Sequence, residues 1–449
     1  AMILGKTDKA KDFFGRIESL LHPSRYHGYT MYHIGYSLFY LLTGDSFRAL
    51  EHARKANDIA EETGYAFPLI ICRFGLAQIL AERNEFGEAE KLLGSALDLS
   101  LLTRSHILEF MCTAAMARIL LKRGRKEEGI DYLQKAMSLG RFHDFKNMIW
   151  WWQPDMMSDI IIEALSSGIE VDYAKALHKV HNVIMRPTPY HIDTWPWPLK
   201  INTLGRFEIL RDDNPVEIKG RAYKKPLDLL KAVIAYGSTN IAVHKIVDAL
   251  WPDSNGDQAY SAFSTTLNRL RVLLDNREII RLRDGILMID EGLCRIDTEA
   301  FTHFISKADQ LWENSEKEQA AVFYEKGFTC YEGNFLEEEG EILWVVSFRE
   351  RLKELYIKAV TRLGILCEEQ HAYEKAIDLY FRGLSMDQTN EALYQRSMIC
   401  YSCLGQHGNV EKVFRRCEKK LKENLDIKPS LRTSDIYIEA RNAPKIIHQ

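Results

Sequence analysis

The chain has 449 residues, of which 46% are hydrophobic and 27% are charged, and its formal net charge is −4 at pH 7. This length predicts about three domains of ordinary globular composition. The small negative charge argues against a general nucleic-acid coat protein and would confine any nucleic-acid contact to one face. No apolar run approaches the roughly 18 residues that a membrane span needs, and the N-terminus lacks a signal-peptide core. We therefore expect a cytoplasmic protein with no membrane partner.

The first 185 residues repeat a helical pattern. Ala49, Ala89 and Gly129 recur 40 residues apart, and an amphipathic helix follows each of them. Small residues at these points let two helices approach closely, so the pattern predicts tetratricopeptide-like helical repeats over 1–185. The arrangement resembles the superhelical sensor region of MalT-like activators. That resemblance implies a regulatory or sensor domain, and a nucleotide-binding module upstream of residue 1. Because Ala1 precedes Met2, we expect the sequence to be a piece of a longer protein.

Three adjacent tryptophans, Trp150, Trp151 and Trp152, lie near the end of these repeats. Three neighbours cannot share one helix face, so we expect at least one of them to be exposed. Two interpretations stay open at this point. The rings either pack between helices or form a patch that binds a partner or effector.

Residues 186–198 are expected to separate two domains. The segment contains Pro187, Pro189, Pro196 and Pro198 and cannot continue a helix. This composition predicts a Pro-rich linker.

Residues 199–295 follow the order strand, helix, helix, long helix and hairpin, which is the order of a winged helix-turn-helix. The predicted elements are a β-like run at 199–210, a turn at 211–215, a strand at 216–218, helices at 222–236, 244–251 and 258–274, and a hairpin at 279–289. In the third helix, Phe263, Leu267, Leu270 and Leu274 form one apolar stripe. The predicted fold class is therefore mainly α, with tetratricopeptide-like repeats flanking a winged-helix (α+β) domain.

The polar face of that third helix suits DNA. Thr265 and Asn268 point away from the apolar stripe, and Arg269 and Arg271 lie on its flanks. Arginine reads guanine or binds phosphate, asparagine pairs with adenine, and hydroxyls contact phosphate oxygens. Between residues 260 and 283, five arginines accompany only two acidic residues, so positive charge gathers on this helix and on the hairpin.

The hairpin is the predicted wing. Arg281 and Arg283 alternate with aliphatic residues and leave the same face of the strand, beside an Asp284-Gly285 turn that strongly favours a hairpin. We therefore expect both arginines to reach the DNA.

Three motifs in this segment, LGRFEI, ALWPD and TTLNRLRVLL, resemble the OmpR-like winged-helix domain of bacterial activators of the antibiotic-regulatory (SARP) type. The resemblance implies double-stranded promoter DNA as the partner. By position, Arg269 matches the family's base-reading arginine, and Arg283 matches the arginine of the wing that enters the minor groove. The positions that match contacts with the DNA backbone are Thr266, Asn268 and Arg271. Two departures matter. Asn268 replaces a common phosphate-binding arginine, and the wing turn lacks the Gly-x-Gly-Tyr pattern, so base preference cannot be carried over.

Residues 296–449 are predicted to form further helical repeats. The segments 371–380 and 408–417 align at a spacing of 37 residues, with Ala376 and Val413 in the packing position. The motif order RIDTEAF, YEGNFLEEE, RERLKEL and ENLDIKPS resembles the bacterial transcriptional activation domain of the same family. That resemblance implies RNA polymerase and a second copy on the DNA as partners. We expect the single Trp344 to lie in the core.

Enzymatic motifs are missing from the sequence. It contains no GxxxxGK[ST], GxSxG or HExxH motif and no GxGxxG after a strand, so we predict neither an enzyme nor a cofactor. Cys400, Cys403, His407 and Cys417 have the chemistry of a zinc set, but core packing explains these cysteines more simply. We therefore predict no metal. The favoured interpretation is a DNA-binding transcription activator. The alternative is a helical-repeat scaffold whose winged helix binds protein instead of DNA.

Overall fold

A computed structural model describes residues 7–18, 21, 26–148, 151, 153–183, 185, 187–218 and 220–443. The chain is mainly helical with two small sheets, which confirms the predicted fold class. It divides into two compact units, Ala1–Pro196 and Trp197–Gln449. Within the described ranges, no helix is both long enough and apolar enough to cross a membrane.

The first unit is a series of helices in which each packs mainly against its sequence neighbours, as helical repeats do. The 40-residue spacing survives in the structure, because Ala49, Ala89 and Gly129 are all buried. A Cβ added to Gly129 would lie 2.7 Å from Leu121 Cγ, so this position requires a very small residue. The helices of the first unit are α1 Thr7–Glu18, α2 Tyr26–Leu42, α3 Ser46–Thr63, α4 Ala66–Glu82, α5 Phe86–Leu102, α6 His106–Lys122, α7 Lys126–His143, α8 Pro154–Ser166 and α9 Val171–His181.

Most of the segment predicted as a Pro-rich linker over 186–198 is packed against the first unit. Tyr190, Ile192 and Trp195 are buried. Thr194 Oγ1 donates a 2.6 Å hydrogen bond to the Leu165 carbonyl, and the Trp195 ring meets His178 edge-on at 4.8 Å. Helix α9 already ends at His181, where Asn182 adopts a left-handed conformation, so the prolines do not end it. The apolar side chains between the prolines pack on the first unit, and the boundary between the units falls at Pro196.

The second unit begins with two sheets and three helices. The elements are β1 Leu199–Asn202, β2 Glu208–Arg211, β3 Asn214–Pro215, α10 Lys224–Ala235, β4 Ile241–Ala242, α11 Val243–Leu250, α12 Gly256–Leu273, β5 Ile280–Arg283, β6 Ile286–Ile289 and β7 Cys294–Ile296. The first sheet has the strand order β3-β2-β1-β7, with β1 and β7 parallel, and the second has the antiparallel order β4-β6-β5.

The strands differ from the prediction in two places. The single run expected at 199–210 splits into β1 and β2, because the chain turns at Gly205, whose φ is 91°. The strand expected at 216–218 is replaced by β3. Asp212 and Asp213 both have positive φ and reverse the chain within two residues. Pairing with β2 therefore begins at Asn214, two residues before the predicted strand.

Helix α12 forms as its sequence predicts. The Asn255 side chain caps it by accepting a 3.0 Å hydrogen bond from the backbone N–H of Gln258. Phe263, Leu267, Leu270 and Leu274 are all buried, so the predicted apolar stripe is the core face of this segment.

The remaining helices form antiparallel hairpins. Ala376 and Val413 are buried at the predicted packing positions. Trp344, expected in the core, is only half-buried in the first turn of its helix, so that prediction was wrong. The helices are α13 Asp297–Glu313, α14 Lys317–Cys330, α15 Leu343–Glu369, α16 Tyr373–Met386, α17 Glu391–Cys403, α18 His407–Leu425 and α19 Leu431–Asn442.

A buried carboxylate joins the sheet segment to these hairpins. Asp297, at the start of α13, accepts hydrogen bonds from the backbone N–H of Thr203 at 2.5 Å and of Leu204 at 2.7 Å, and from the Thr203 hydroxyl at 2.7 Å. The Thr298 N–H is a fourth donor at 2.8 Å. Burial raises the pKa of Asp297, and these four donors offset part of that rise. The loop after β1 is thereby held on the first turn of α13.

Backbone contacts reinforce the same junction. The Leu336 N–H donates to the Thr203 carbonyl at 2.8 Å, and the Gly205 N–H donates to the Asn334 carbonyl at 3.0 Å. A Cβ added to Gly333 would lie 2.8 Å from Gly205 Cα, so two backbones meet here with no room for a side chain. Residues 199–295 and 296–443 therefore share one packed junction.

We expect Asp297→Ala to lower the local opening free energy of β1 and α13 by about 3 kcal/mol or more, because three buried N–H groups and a hydroxyl lose their acceptor. Hydrogen exchange of peptides from both elements in the full chain measures the loss. Asp253→Ala, an exposed site in the loop before α12, is the matched control and should stay within about 0.5 kcal/mol of the parent. Equal protection in the two variants would contradict the junction.

Candidate nucleic-acid interface

The outer face of α12 presents three of the predicted contact residues. Thr265, Asn268 and Arg269 are exposed. Within the described part of the chain, the side chains of Asn268 and Arg269 form no hydrogen bond or ion pair, and the Thr265 hydroxyl bonds only to the Ser261 carbonyl, at 3.0 Å. An arginine and an amide that the fold does not use are available to an outside acceptor or donor.

The resemblance assigns Thr266 to a contact with the DNA backbone, but the structure places this residue in the protein core. Its side chain is buried, and its hydroxyl donates a 2.7 Å hydrogen bond to the Ala262 carbonyl. The reason is helical spacing, since Thr266 follows Phe263 by three residues and precedes Leu270 by four, on the apolar side of the helix. The Thr266 side chain would have to leave the core to contact a DNA backbone.

Arg271 is also turned inward. Its guanidinium donates two hydrogen bonds to the Ile280 carbonyl, from Nε at 3.0 Å and from Nη2 at 2.8 Å. The physical cause is that β5 is the edge strand of its sheet, which leaves carbonyls on its outer side without a partner strand. Arg271 therefore ties the end of α12 to the hairpin and is not a free phosphate contact.

The two hairpin arginines have different surroundings. Arg281 forms ion pairs with Glu278 at 3.2 Å and with Asp290 at 2.9 Å, so the protein already compensates its charge. The Arg283 side chain is exposed and, among the described residues, forms neither a hydrogen bond nor an ion pair. Asp284 and Gly285 both have positive φ, as the predicted two-residue turn requires. Arg283 is thus presented at the hairpin tip as an uncompensated charge.

One arginine in this region was not selected from the sequence. Arg277 lies between α12 and β5, is exposed, and has no partner among the residues that the structure describes. The gathering of five arginines between residues 260 and 283 includes it, and that count was the available signal. The candidate interface therefore consists of Thr265, Asn268, Arg269, Arg277 and Arg283.

Of the three adjacent tryptophans, the structure describes only Trp151. Trp151 is 1% exposed, and its ring lies edge-on to Phe74 at 6.2 Å. A Cβ added to Gly75 would lie 2.6 Å from the Trp151 ring, so α4 makes room for it. Trp151 is therefore core and cannot be a partner contact. Trp150 and Trp152 lie outside the described residues.

The cysteines show no sign of a metal centre. In the part of the chain that the structure describes, no group of His, Cys, Asp or Glu side chains could hold a metal ion. Cys400 and Cys417 are buried, and His407 bonds to the Ala440 carbonyl at 3.1 Å. Burial raises the pKa of the Cys400 thiol, which disfavours the thiolate that zinc binding needs.

The comparison with family models gives one result. Residues 296–441 match the family described as the bacterial transcriptional activator domain. The match covers the helices α13 to α19 and about a third of the chain, and it supports a role in transcription activation. No curated protein matches this sequence.

Several solved structures resemble the chain weakly. Mycobacterium tuberculosis EmbR in complex with a low-affinity phosphopeptide is 17% identical over 54% of this chain and 65% of that one, with a TM-score of 0.45. Apo RapI is 11% identical over 74% of this chain and 97% of its own, with a TM-score of 0.30. The apo quorum sensor NprR from B. thuringiensis is 12% identical over 89% and 97%, with a TM-score of 0.22. All three scores lie below 0.5, so nothing about the function of this chain follows from them.

Arg271 is hydrogen-bonded to the hairpin, whereas the Arg269 side chain has no partner among the described residues. Stability measurements should detect this difference. We expect Arg271→Ala to lower the opening free energy of the hairpin by about 1.5 to 3 kcal/mol, because a charged donor of two hydrogen bonds is lost. Arg269→Ala should change it by less than about 0.5 kcal/mol. Hydrogen exchange of peptides covering β5 and β6 is the measurement. If both variants exchange like the parent, Arg271 does not hold the hairpin.

Proposed function

We propose that this chain is a DNA-binding transcription activator, in which residues 199–295 form a winged helix that docks α12 into the major groove. The observation that carries the proposal is the set of cationic and amide side chains left unused by the fold on α12 and the hairpin: Asn268, Arg269, Arg277 and Arg283. Such groups pair with base edges and phosphates. The family match of residues 296–441 supports activation as the outcome of DNA binding.

The roles within this interface follow from the contacts. Arg269 projects from the outer face of α12 and would read a base. Arg283, at the hairpin tip, would enter the adjacent minor groove, where a narrow A·T-rich tract concentrates negative potential. Arg277 would bind phosphate. Arg271 and Arg281 would act as positioning residues, because Arg271 ties the hairpin to the helix and Arg281 is held by two acids.

We propose RNA polymerase as the protein partner of the C-terminal helices, and the first unit as a regulatory element. Helical hairpins bury one face against their neighbours and leave another for partners. The rival proposal is a scaffold in which residues 199–295 bind protein. DNA selection by the full chain from a random duplex library decides between them, since a scaffold would enrich no sequence and would show no salt-dependent affinity.

On a duplex obtained by that selection, we expect Arg269→Ala to weaken binding by about 1 to 3 kcal/mol and to relax preference at one base position. Arg277→Ala should weaken all duplexes similarly and lower the salt slope by about one unit. Gel-shift titrations at several salt concentrations provide both values. If both variants bind with the affinity of the parent, α12 and the loop that follows it do not contact the DNA.

The hairpin offers a matched pair of variants. We expect Arg283→Ala to reduce the advantage of an A·T-rich flank over a G·C-rich flank, while Arg281→Ala has a smaller effect because its charge is already paired. Competition between the two flanking sequences measures this preference. Equal effects of the two substitutions would argue that the hairpin tip does not enter a minor groove.

The unit boundary at Pro196 makes the regulatory proposal testable. If the first unit restrains the second, the fragment 197–449 should bind the selected duplex at least as tightly as the full chain. The cut must follow Pro196. A cut at residue 185 would take Tyr190, Ile192 and Trp195, which are buried, away from the first unit and leave them on the C-terminal fragment. Weaker binding by a fragment that circular dichroism shows to be folded would make the first unit a required positive element instead.

A further inference from the structure

Helix α12 carries a second stripe of side chains directly opposite its buried one. Ser261, Thr265, Asn268 and Val272 recur at i, i+4, i+7 and i+11, which is the spacing of the core residues that begin at Phe263. A shift of two residues turns the stripe by about 200° around the helix axis, so it points away from the core. All four side chains are exposed. We call these four residues the outer stripe.

The outer stripe contains no charged residue. When a helix docks in the major groove, the side chains furthest from the protein core go deepest and meet base edges, whereas phosphates lie at the sides of the groove. Short uncharged side chains in the central position allow the helix to approach the bases closely. The long side chain of Arg269 reaches the bases from beside the stripe, about 100° around the helix from Asn268.

Val272 is the apolar member of the outer stripe and is 72% exposed. Helix stability does not account for it, because an exposed valine favours a helix less than alanine, lysine or glutamate would. Its χ1 angle is largely restricted to one rotamer in a helix, so its methyl groups are held in position. The preceding residue, Arg271, is hydrogen-bonded to the Ile280 carbonyl, which fixes the last turn of α12. In the major groove, thymine is the base that offers a methyl group for apolar contact.

Asn268 favours the same kind of base pair. Its carboxamide has no partner among the described residues, and an asparagine amide pairs bidentately with N6 and N7 of adenine. Asn268 precedes Val272 by one helical turn, a rise of about 6 Å, which is nearly two base-pair steps. The two side chains can therefore contact neighbouring A·T pairs at the same time.

We propose that α12 selects an A·T-containing element, in which Asn268 pairs with an adenine and Val272 packs against the 5-methyl group of a thymine about two base pairs away. Arg269 reads a guanine beside them. This inference rests on the proposed DNA binding and specifies the bases that the outer stripe selects. It makes Val272, which carries no hydrogen-bonding group, a specificity-determining residue.

The test uses a duplex that the full chain enriches from a random library. Each thymine is replaced in turn by uracil, which keeps the base pairing and removes only the 5-methyl group. Gel-shift titration of the parent should show at least about threefold weaker binding at one such position, because one methyl group leaves an apolar contact. Val272→Ala should bind the thymine and uracil duplexes equally. Alanine favours a helix more than valine, so this variant keeps α12 folded.

A second base analogue tests Asn268. Replacing an adenine by 7-deazaadenine removes the N7 acceptor and leaves the pairing with thymine intact. Within about two base pairs of the uracil-sensitive position, one such replacement should weaken binding by the parent at least about threefold. Asn268→Ala should bind the adenine and 7-deazaadenine duplexes equally.

Two variants serve as controls for Val272→Ala. Val322 is an exposed valine on α14, outside residues 199–295, so Val322→Ala should keep the parental response to uracil. Thr265→Ser removes the other methyl group of the outer stripe and keeps the hydroxyl. It should leave the ratio of the thymine and uracil affinities at the sensitive position unchanged.

The outcomes separate this inference from DNA binding itself. A duplex that binds with salt-dependent affinity but tolerates uracil at every thymine overturns the inference and leaves DNA binding intact. A uracil response that persists in Val272→Ala, or that Thr265→Ser abolishes instead, overturns it as well. Enrichment of no duplex at all contradicts the proposed DNA binding and this inference together.

Discussion

The second unit depends on one carboxylate that is buried but fully hydrogen-bonded. Moving Asp297 out of water costs free energy, and its four donors recover much of that cost because each would otherwise be a buried group without an acceptor. The donors come from the loop after β1, whereas the acceptor opens α13. The fold therefore pairs two distant parts of the chain through a polar contact that tolerates little displacement.

The sheet segment, residues 199–295, and the C-terminal helical hairpins are therefore not positioned independently of each other. Strand β7 immediately precedes Asp297 and pairs in parallel with β1, so a single stretch of chain contributes both to the sheet and to the first hairpin. Lys231 adds an ion pair to Glu339 and lies 4.5 Å above the Phe207 ring. In the proposed activator, the orientation of α12 on DNA would thus also set the orientation of the activator helices.

Local patterns predicted the elements well and the individual contacts less well. Periodicity alone identified the buried stripe of α12, the Asp284-Gly285 turn and the repeat spacing through Ala49, Ala89 and Gly129, because each depends on neighbours in sequence. The inward turn of Arg271 depends on a free carbonyl of an edge strand, which sequence spacing does not reveal. The core position of Trp151, one of two interpretations that the sequence leaves open, depends on a gap at Gly75, far away in the chain. In both cases tertiary structure supplies the surroundings of the side chain.

The same distinction explains why the arginines of one cluster divide into two roles. A cluster of like charges is costly within a compact fold unless some members find acceptors, and here Arg271 and Arg281 find them on the hairpin itself. The Arg271 contact ties α12 to β5. Arg269 and Arg283, two of the three arginines of the cluster without a partner among the described residues, then project from elements whose relative position is fixed before any ligand arrives. Binding to a rigid duplex would consequently require little ordering of the protein, and its free energy would go into the contacts themselves.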